Sequence, residues 1–137
     1  MLSVSYMQRG EVDIVLDLFA KAERAYEACF RLLEEGDHFD ACEKAWAAVE
    51  LATQALTLRW LGRTEPPRGT SWREFVASAF VKAGAPEGEA RVLAAFFVEA
   101  RGRLHGECFY GQIFEKAEHV PLIRGVEKYL ARVKALL

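Results

Sequence analysis

The sequence has no apolar run of about 18 residues or more, which is the length that a membrane-spanning helix needs. Its opening residues, MLSVSYMQRG, also lack the basic stretch followed by an apolar stretch that marks a secretory signal. We therefore expect a soluble, cytoplasmic protein that does not use the membrane as a partner.

Cysteine and histidine are scarce, with three residues of each. Cys29, Cys42 and Cys108 form no Cys-x-x-Cys pair, and no histidine has a carboxylate four residues later, so we predict neither a metal site nor a cofactor. The cysteines are interpreted as buried thiols. A disulfide between Cys29 and Cys42, which flank a predicted helical turn, is the alternative, and it requires an unusual redox setting. His38 and His119 are interpreted as loop, capping or surface residues.

Positive charge is not in excess either, because the net charge is −2 over 137 residues. Binding of nucleic acid would thus require a local basic patch. The length suits one domain, and residues 1–137 are predicted to form a single helical domain. The four prolines include the adjacent pair Pro66 and Pro67, which places one clear loop at residues 63–70.

Apolar residues recur every three or four positions along most of the chain, and nowhere do they alternate as in a strand. This rhythm predicts helices at about residues 11–35, 38–62, 71–84 and 86–111, with a last helix in which Pro121 occupies the first turn. Residues 112–120 fit either a short helix or irregular structure. The fold class is all-α: an antiparallel up-and-down bundle of four long helices plus one short helix.

Local signals mark several helix ends. Gly36 suits a left-handed residue after the first helix, and Asp37 suits the N-cap of the second. Ser71 and Glu74 form an S-x-x-E capping box. Within the second helix, small residues spaced three or four apart form a seam that lets a neighbouring helix approach closely: Ala41, Ala45, Ala48, Ala52 and Ala55.

Arg101 and His105 are the strongest candidates for chemistry. Residues four apart share a helix face, so both side chains are predicted at one edge of the core stripe of the fourth helix. Arginine can clamp a phosphate, and histidine can move a proton near neutral pH. We therefore take Arg101 and His105 as candidate catalytic residues and, with Arg103 and Tyr110 on the opposite edge of the helix, as candidate ligand-binding residues. The alternative is that they are ordinary surface or interface residues.

The tryptophans and the remaining arginines have plainer interpretations. Trp46, Trp60 and Trp72 follow the apolar stripes and are predicted to be core or interface anchors rather than base-stacking platforms. Four arginines surround the proline loop and are interpreted as a solvated rim: Arg59, Arg63, Arg68 and Arg73.

Two segments resemble the PaREP family of archaeal proteins, which is grouped with the HEPN (higher eukaryote and prokaryote nucleotide-binding) helical domains. The first is Gly36-Asp37-x-x-x-Ala41-x-Glu43-Lys44-Ala45-Trp46, and the second is Leu104-His105-x-x-x-Phe109-Tyr110 followed by a terminal amphipathic helix. The resemblance covers nearly the whole chain. It implies an up-and-down bundle, a homodimer, and in many members association with a nucleotidyltransferase or a toxin–antitoxin type module.

Other HEPN proteins are metal-independent endoribonucleases, in which an arginine, four to six residues and a histidine form the active site across a dimer. Here His105 matches the motif histidine, whereas Arg101 matches loosely, because three residues intervene and the first of them is Gly102. The helix pair around Gly36 also resembles one tetratricopeptide unit, but no second copy follows, and such units need stacked neighbours.

We expect a homodimeric accessory or binding protein of nucleotide or RNA metabolism, with a nucleotide, an RNA or a partner protein as its ligand. A metal-independent endoribonuclease, with His105 as base and Arg101 as phosphate clamp, is the first alternative. A structural adaptor without a nucleic-acid role is the second.

Overall fold

The computed structural model describes residues 8–137. The first seven residues, on which the expected absence of a signal segment partly depends, lie outside the described residues. Within the described range the chain forms helices and no strand, which confirms the all-α prediction. The helices are α1 (Arg9–Glu34), α2 (His38–Leu61), α3 (Trp72–Ala83), α4 (Glu87–Ala100) and α5 (Lys116–Leu136). Between the last two, Arg101–Tyr110 continues α4 as a π-helix, hereafter the π segment.

The turn between α1 and α2 has the predicted chemistry. Gly36 has a φ of +82°, a left-handed conformation that side chains rarely tolerate. Asp37 caps α2, and its carboxylate accepts a 3.3 Å hydrogen bond from the backbone N–H of Asp40. At the start of α3, Ser71 likewise accepts a 3.1 Å bond from the N–H of Glu74. These caps satisfy backbone donors that have no partner inside a helix.

The second helix, α2, is the centre of the core, because it contacts α1, α3, α4, the π segment and α5. The predicted alanine seam is confirmed: all five of its alanines are fully buried. Side chains this small let helices pack at close range on more than one side of α2. No helix within residues 8–137 combines the length and the apolar character needed to cross a bilayer.

The last helix begins earlier than predicted. It starts at Lys116, so residues 112–115 are irregular and Pro121 lies in the second turn rather than the first. Proline there removes one backbone hydrogen bond, and the helix tolerates this close to its N-terminus. Further along, Tyr129 is buried, and its hydroxyl lies 2.6 Å from that of Thr53 on α2.

The cysteine interpretation is wrong for two of the three residues. Cys42 of α2 and Cys108 of the π segment form a disulfide across 66 residues of sequence. The predicted alternative pairing of Cys29 with Cys42 does not occur, because Cys29 is a buried free thiol. Burial raises the pKa of the Cys29 thiol to about 12, so it stays protonated and unreactive.

Candidate functional site

The π segment sets the geometry of the site. Its backbone bonds span five residues instead of four; for example, the N–H of Gly111 donates to the carbonyl of Gly106 at 2.8 Å. The helix is therefore wider here, and one turn holds between four and five residues. Each side chain thus lies close to those of both the fourth and the fifth residue after it. Such segments occur frequently at functional sites. Arg101 and His105 lie on this segment and line the same cavity.

The cavity measures about 290 Å³ and lies between α2, the start of α3 and the junction of α4 with the π segment. Three aromatic rings form its apolar wall. Phe97 packs against Trp46 with ring centroids 5.3 Å apart, and against Trp72 at 5.5 Å in a stacked arrangement. The polar wall includes the ionisable residues Glu43, Glu50, Arg101 and His105, and the uncharged polar residues Thr53, Gln54 and Thr64 also line the cavity.

Glu43 and His105 are directly bonded. The ring Nδ1–H of His105 donates to Oε1 of Glu43 at 2.8 Å, since an ionised carboxylate can only accept. In the neutral imidazole this leaves Nε2 as the acceptor. Each side chain is about one-third exposed, so the pair is accessible from the cavity. A carboxylate that fixes the ring orientation and tautomer of a histidine is a recurring device in proton transfer.

Glu50 lies at the cavity mouth and is an exposed residue overall. Its surroundings nevertheless remove enough water from the carboxyl group to raise its pKa; His105 and Arg101 oppose this effect, and Glu43 adds to it. Across the cavity, the guanidinium carbon of Arg101 lies 5.8 Å from the centre of the Trp72 ring, within the range of a cation–π contact.

A shallow groove of about 650 Å³ adjoins the cavity and shares Trp72, Arg101 and His105 with it. No carboxylate lines the groove among the described residues, whereas Arg73 does, together with the backbone of Gly102 and of Gly106. The molecule thus has a mixed-charge aromatic cavity on one side of Arg101 and a basic groove on the other.

The other two candidate residues fall in different places. Arg103 does not line the cavity; it forms ion pairs of 3.1 Å with Glu107 and 3.3 Å with Glu118, and the first of these raises its pKa. Tyr110 does not share an edge with Arg103. Its ring packs edge-on against His105, with centroids 4.9 Å apart, because the π segment brings residues five apart together. Tyr110 is 70% exposed and flanks the site.

The interpretation of His119 as a cap or surface residue needs correction in one respect. It is fully buried, so it is not a surface residue. Its Nδ1 accepts the backbone N–H of Glu115, the N-cap residue of α5, at 2.9 Å, which is a capping role. Its Nε2–H donates to Oε1 of Glu107 at 2.7 Å. The buried ring therefore ties the π segment to the start of α5.

Sequence reasoning missed the α2 contribution to the site. A signal was present: Glu43, Trp46 and Glu50, followed by Thr53, recur at steps of three and four and so share a face of α2.

The interpretation of the tryptophans as core or interface anchors fits Trp60, whose Nε1–H donates to the carbonyl of Leu136 at 2.9 Å. For Trp46 and Trp72 it was incomplete, because these residues also line the cavity.

No curated protein and no solved structure matches the chain. Within residues 8–137, no group of three or more histidine, cysteine or acidic side chains is arranged to hold a metal ion. The sequence profile of the archaeal PaREP1/PaREP8 family matches residues 17–111, a span that runs from within α1 to the end of the π segment and includes both segments of the noted resemblance. The chain therefore belongs to the archaeal PaREP1/PaREP8 family.

Proposed function

We propose that the protein binds a nucleotide, free or within RNA, with the base in the cavity and the phosphate in the groove. The observation that carries this proposal is the division of charge about Arg101. Two carboxylates, Glu43 and Glu50, line the cavity but not the groove, and Arg73 lines the groove but not the cavity. A nucleotide has the complementary division, with N–H donors on its base and negative charge on its phosphate.

The cavity suits the base. Its volume of about 290 Å³ is near the lower end of small-ligand pockets. Trp46, which is buried, and Trp72, which is half-buried, both line it, so Trp72 offers the more accessible apolar surface. Base–aromatic contacts stabilise binding by about 1–3 kcal/mol per base. Carboxylate oxygens nearby can accept hydrogen bonds from the base edge.

The groove suits the phosphate. Arg73 and Arg101 both line it, and guanidinium groups bind phosphate oxygens with two parallel hydrogen bonds. Gly102 contributes no side chain there, and a Cβ added to it would meet nothing within 4 Å, so the backbone leaves room for a ligand beside Arg101.

Tryptophan fluorescence tests the proposal, since two of the three tryptophans line the cavity. The protein is titrated with AMP, GMP, CMP and UMP and with a short single-stranded RNA. We expect saturable quenching that weakens as salt concentration rises, and a loss of affinity of about tenfold or more in Arg101→Ala. Arg31→Ala, an exposed change in the last turn of α1, is the matched control. Absence of binding, or equal losses in the two variants, would reject the proposal.

One observation favours a second candidate, a metal-independent endoribonuclease. The Glu43–His105 bond leaves His105 Nε2 available as a base for the ribose 2′-hydroxyl. Arg101 lines the same cavity and could stabilise the negative charge on the non-bridging phosphate oxygens. His105 Nε2 would take the 2′-hydroxyl proton as the 2′-oxygen attacks phosphorus and the bond from phosphorus to the 5′-oxygen breaks. The departing 5′-oxygen would take a proton from water, giving a 2′,3′-cyclic phosphate and a 5′-hydroxyl.

RNA incubated with the protein in EDTA separates the candidates. An enzyme cuts RNA under these conditions, and His105→Ala abolishes cutting while retaining binding. A binding protein retains RNA intact. A structural adaptor does neither, and this outcome would leave only a protein partner as the ligand. The homodimer remains a prediction, which light scattering after gel filtration checks.

A further inference from the structure

Glu50 is the cavity carboxylate that accepts no hydrogen bond from the part of the chain that the structure describes. Glu43 accepts a hydrogen bond from His105, whereas Glu50 accepts none from any residue between 8 and 137. It follows Trp46 by one turn of α2, so the carboxylate and the indole face the same space. A base packed against the aromatic wall would present its edge to Glu50.

A carboxylate discriminates among bases because it has two acceptor oxygens side by side and, when ionised, no donor. Guanine alone among the RNA bases has two adjacent donors, N1–H and the 2-amino group, spaced to meet both oxygens. Adenine and cytosine place a ring-nitrogen acceptor beside their amino group, and uracil flanks its one N–H with two carbonyl oxygens. Each of these arrangements sets an acceptor against the carboxylate.

We infer that the cavity selects guanine and that Glu50 is the residue that determines this specificity. The inference rests on the proposed nucleotide site. Glu50 accepts hydrogen bonds from N1–H and the 2-amino group, while the aromatic wall of the cavity contacts the base. Gln54 lies one turn further along α2 and also lines the cavity. Its carboxamide would suit adenine, so a preference for adenine is the outcome that opposes the inference.

The wild-type protein alone provides the first test. Affinities for GMP, IMP and AMP are measured by tryptophan fluorescence and checked by calorimetry. IMP differs from GMP only by the absence of the 2-amino group. We expect GMP to bind about tenfold or more tightly than either IMP or AMP. Equal affinities, or tighter binding of AMP, would overturn the guanine inference while leaving the nucleotide site intact. No binding of any nucleotide would remove both.

Glu50→Gln provides the second test, because glutamine replaces one acceptor with a donor that faces the guanine donors. The variant should lose most of the GMP preference while still binding AMP. Glu34→Gln, on an exposed residue at the end of α1, is the matched control and should retain the preference. An unchanged GMP-to-AMP ratio in Glu50→Gln would exclude Glu50 as the determinant. Circular dichroism checks that both variants are folded.

Discussion

Glu43 and His105 are 62 residues apart in the sequence, and a 2.8 Å hydrogen bond joins their side chains. The bond links α2 to the π segment, the two elements that contribute the polar wall of the cavity. This hydrogen bond and the neighbouring Cys42–Cys108 disulfide both join α2 to the π segment at the site.

Glu43→Ala should change the tautomer of His105 and weaken ligand binding severalfold. Without the carboxylate, Nδ1–H loses its acceptor, and the ring is free to rotate or to move its proton to Nε2. Nitrogen NMR of the imidazole measures the tautomer, and fluorescence titration measures affinity. Glu43→Gln retains an acceptor oxygen and should keep both close to wild type. If the two variants behave alike, the hydrogen bond does not position His105.

Glu50→Gln should stabilise the fold slightly at neutral pH, by no more than about 2 °C in Tm. Partial desolvation of the carboxyl group by its surroundings raises the pKa of Glu50 in the folded state, so folding favours its neutral form. The stability that this group contributes is present below its ordinary pKa and is lost as pH rises through the raised folded value. The variant, which is neutral throughout, should therefore match wild type near pH 4 and exceed it at pH 7. A gain in Tm at acidic pH only would contradict this sign.

Thiol titration tests the disulfide. Unreduced protein should expose no reactive thiol when folded and one, Cys29, after unfolding in guanidinium chloride; prior reduction should raise the count to three. Cys42→Ser should lower the free energy of unfolding by about 2–4 kcal/mol, because the bond closes a long loop of the unfolded chain. Three thiols in unreduced, unfolded protein would show that Cys42 and Cys108 are not bonded.

His119→Ala should destabilise the protein by about 3 kcal/mol, since it opens a buried space and leaves the N–H of Glu115 without its acceptor. His38→Ala is the control. His38 is exposed and stacks on Phe114 at 4.3 Å, and its replacement should cost less than about 1 kcal/mol. Chemical denaturation measures both values, and similar losses would mean that burial of His119 contributes little.

Gly111→Ala should disrupt the end of the π segment, because a Cβ at residue 111 would overlap the carbonyl group of Glu107. We expect a loss of about 1–3 kcal/mol. Gly102→Ala, within the same segment, meets open space and should be neutral or slightly stabilising, as alanine favours helices. Denaturation midpoints of the two variants decide the matter; a neutral Gly111→Ala would show that the turn accommodates a methyl group.

Much of the fold followed from the sequence because helix formation depends on near neighbours. The spacing of apolar residues located α1 and α2, and the signals at Gly36 and Ser71 located helix ends to within a residue or so. Arg101 and His105 were likewise placed on one face, and the structure shows both on the same cavity.

The rest depended on contacts between distant parts of the chain or on unusual backbone geometry. The pairing of Cys42 with Cys108 and of Glu43 with His105 arises only when α2 packs against the π segment. Tyr110 was misplaced because its position was read with α-helical spacing, whereas the π segment rotates it towards His105.

The disulfide has a consequence for recognition. Cys42 directly precedes Glu43, and Cys108 follows His105 by three residues. The covalent bond therefore fixes α2 and the π segment, which together form the polar wall, relative to each other before any ligand binds. The polar wall loses its conformational freedom during folding rather than when a ligand binds, so the site is preorganised. The entropic cost of binding then comes mainly from ordering the ligand, not the protein.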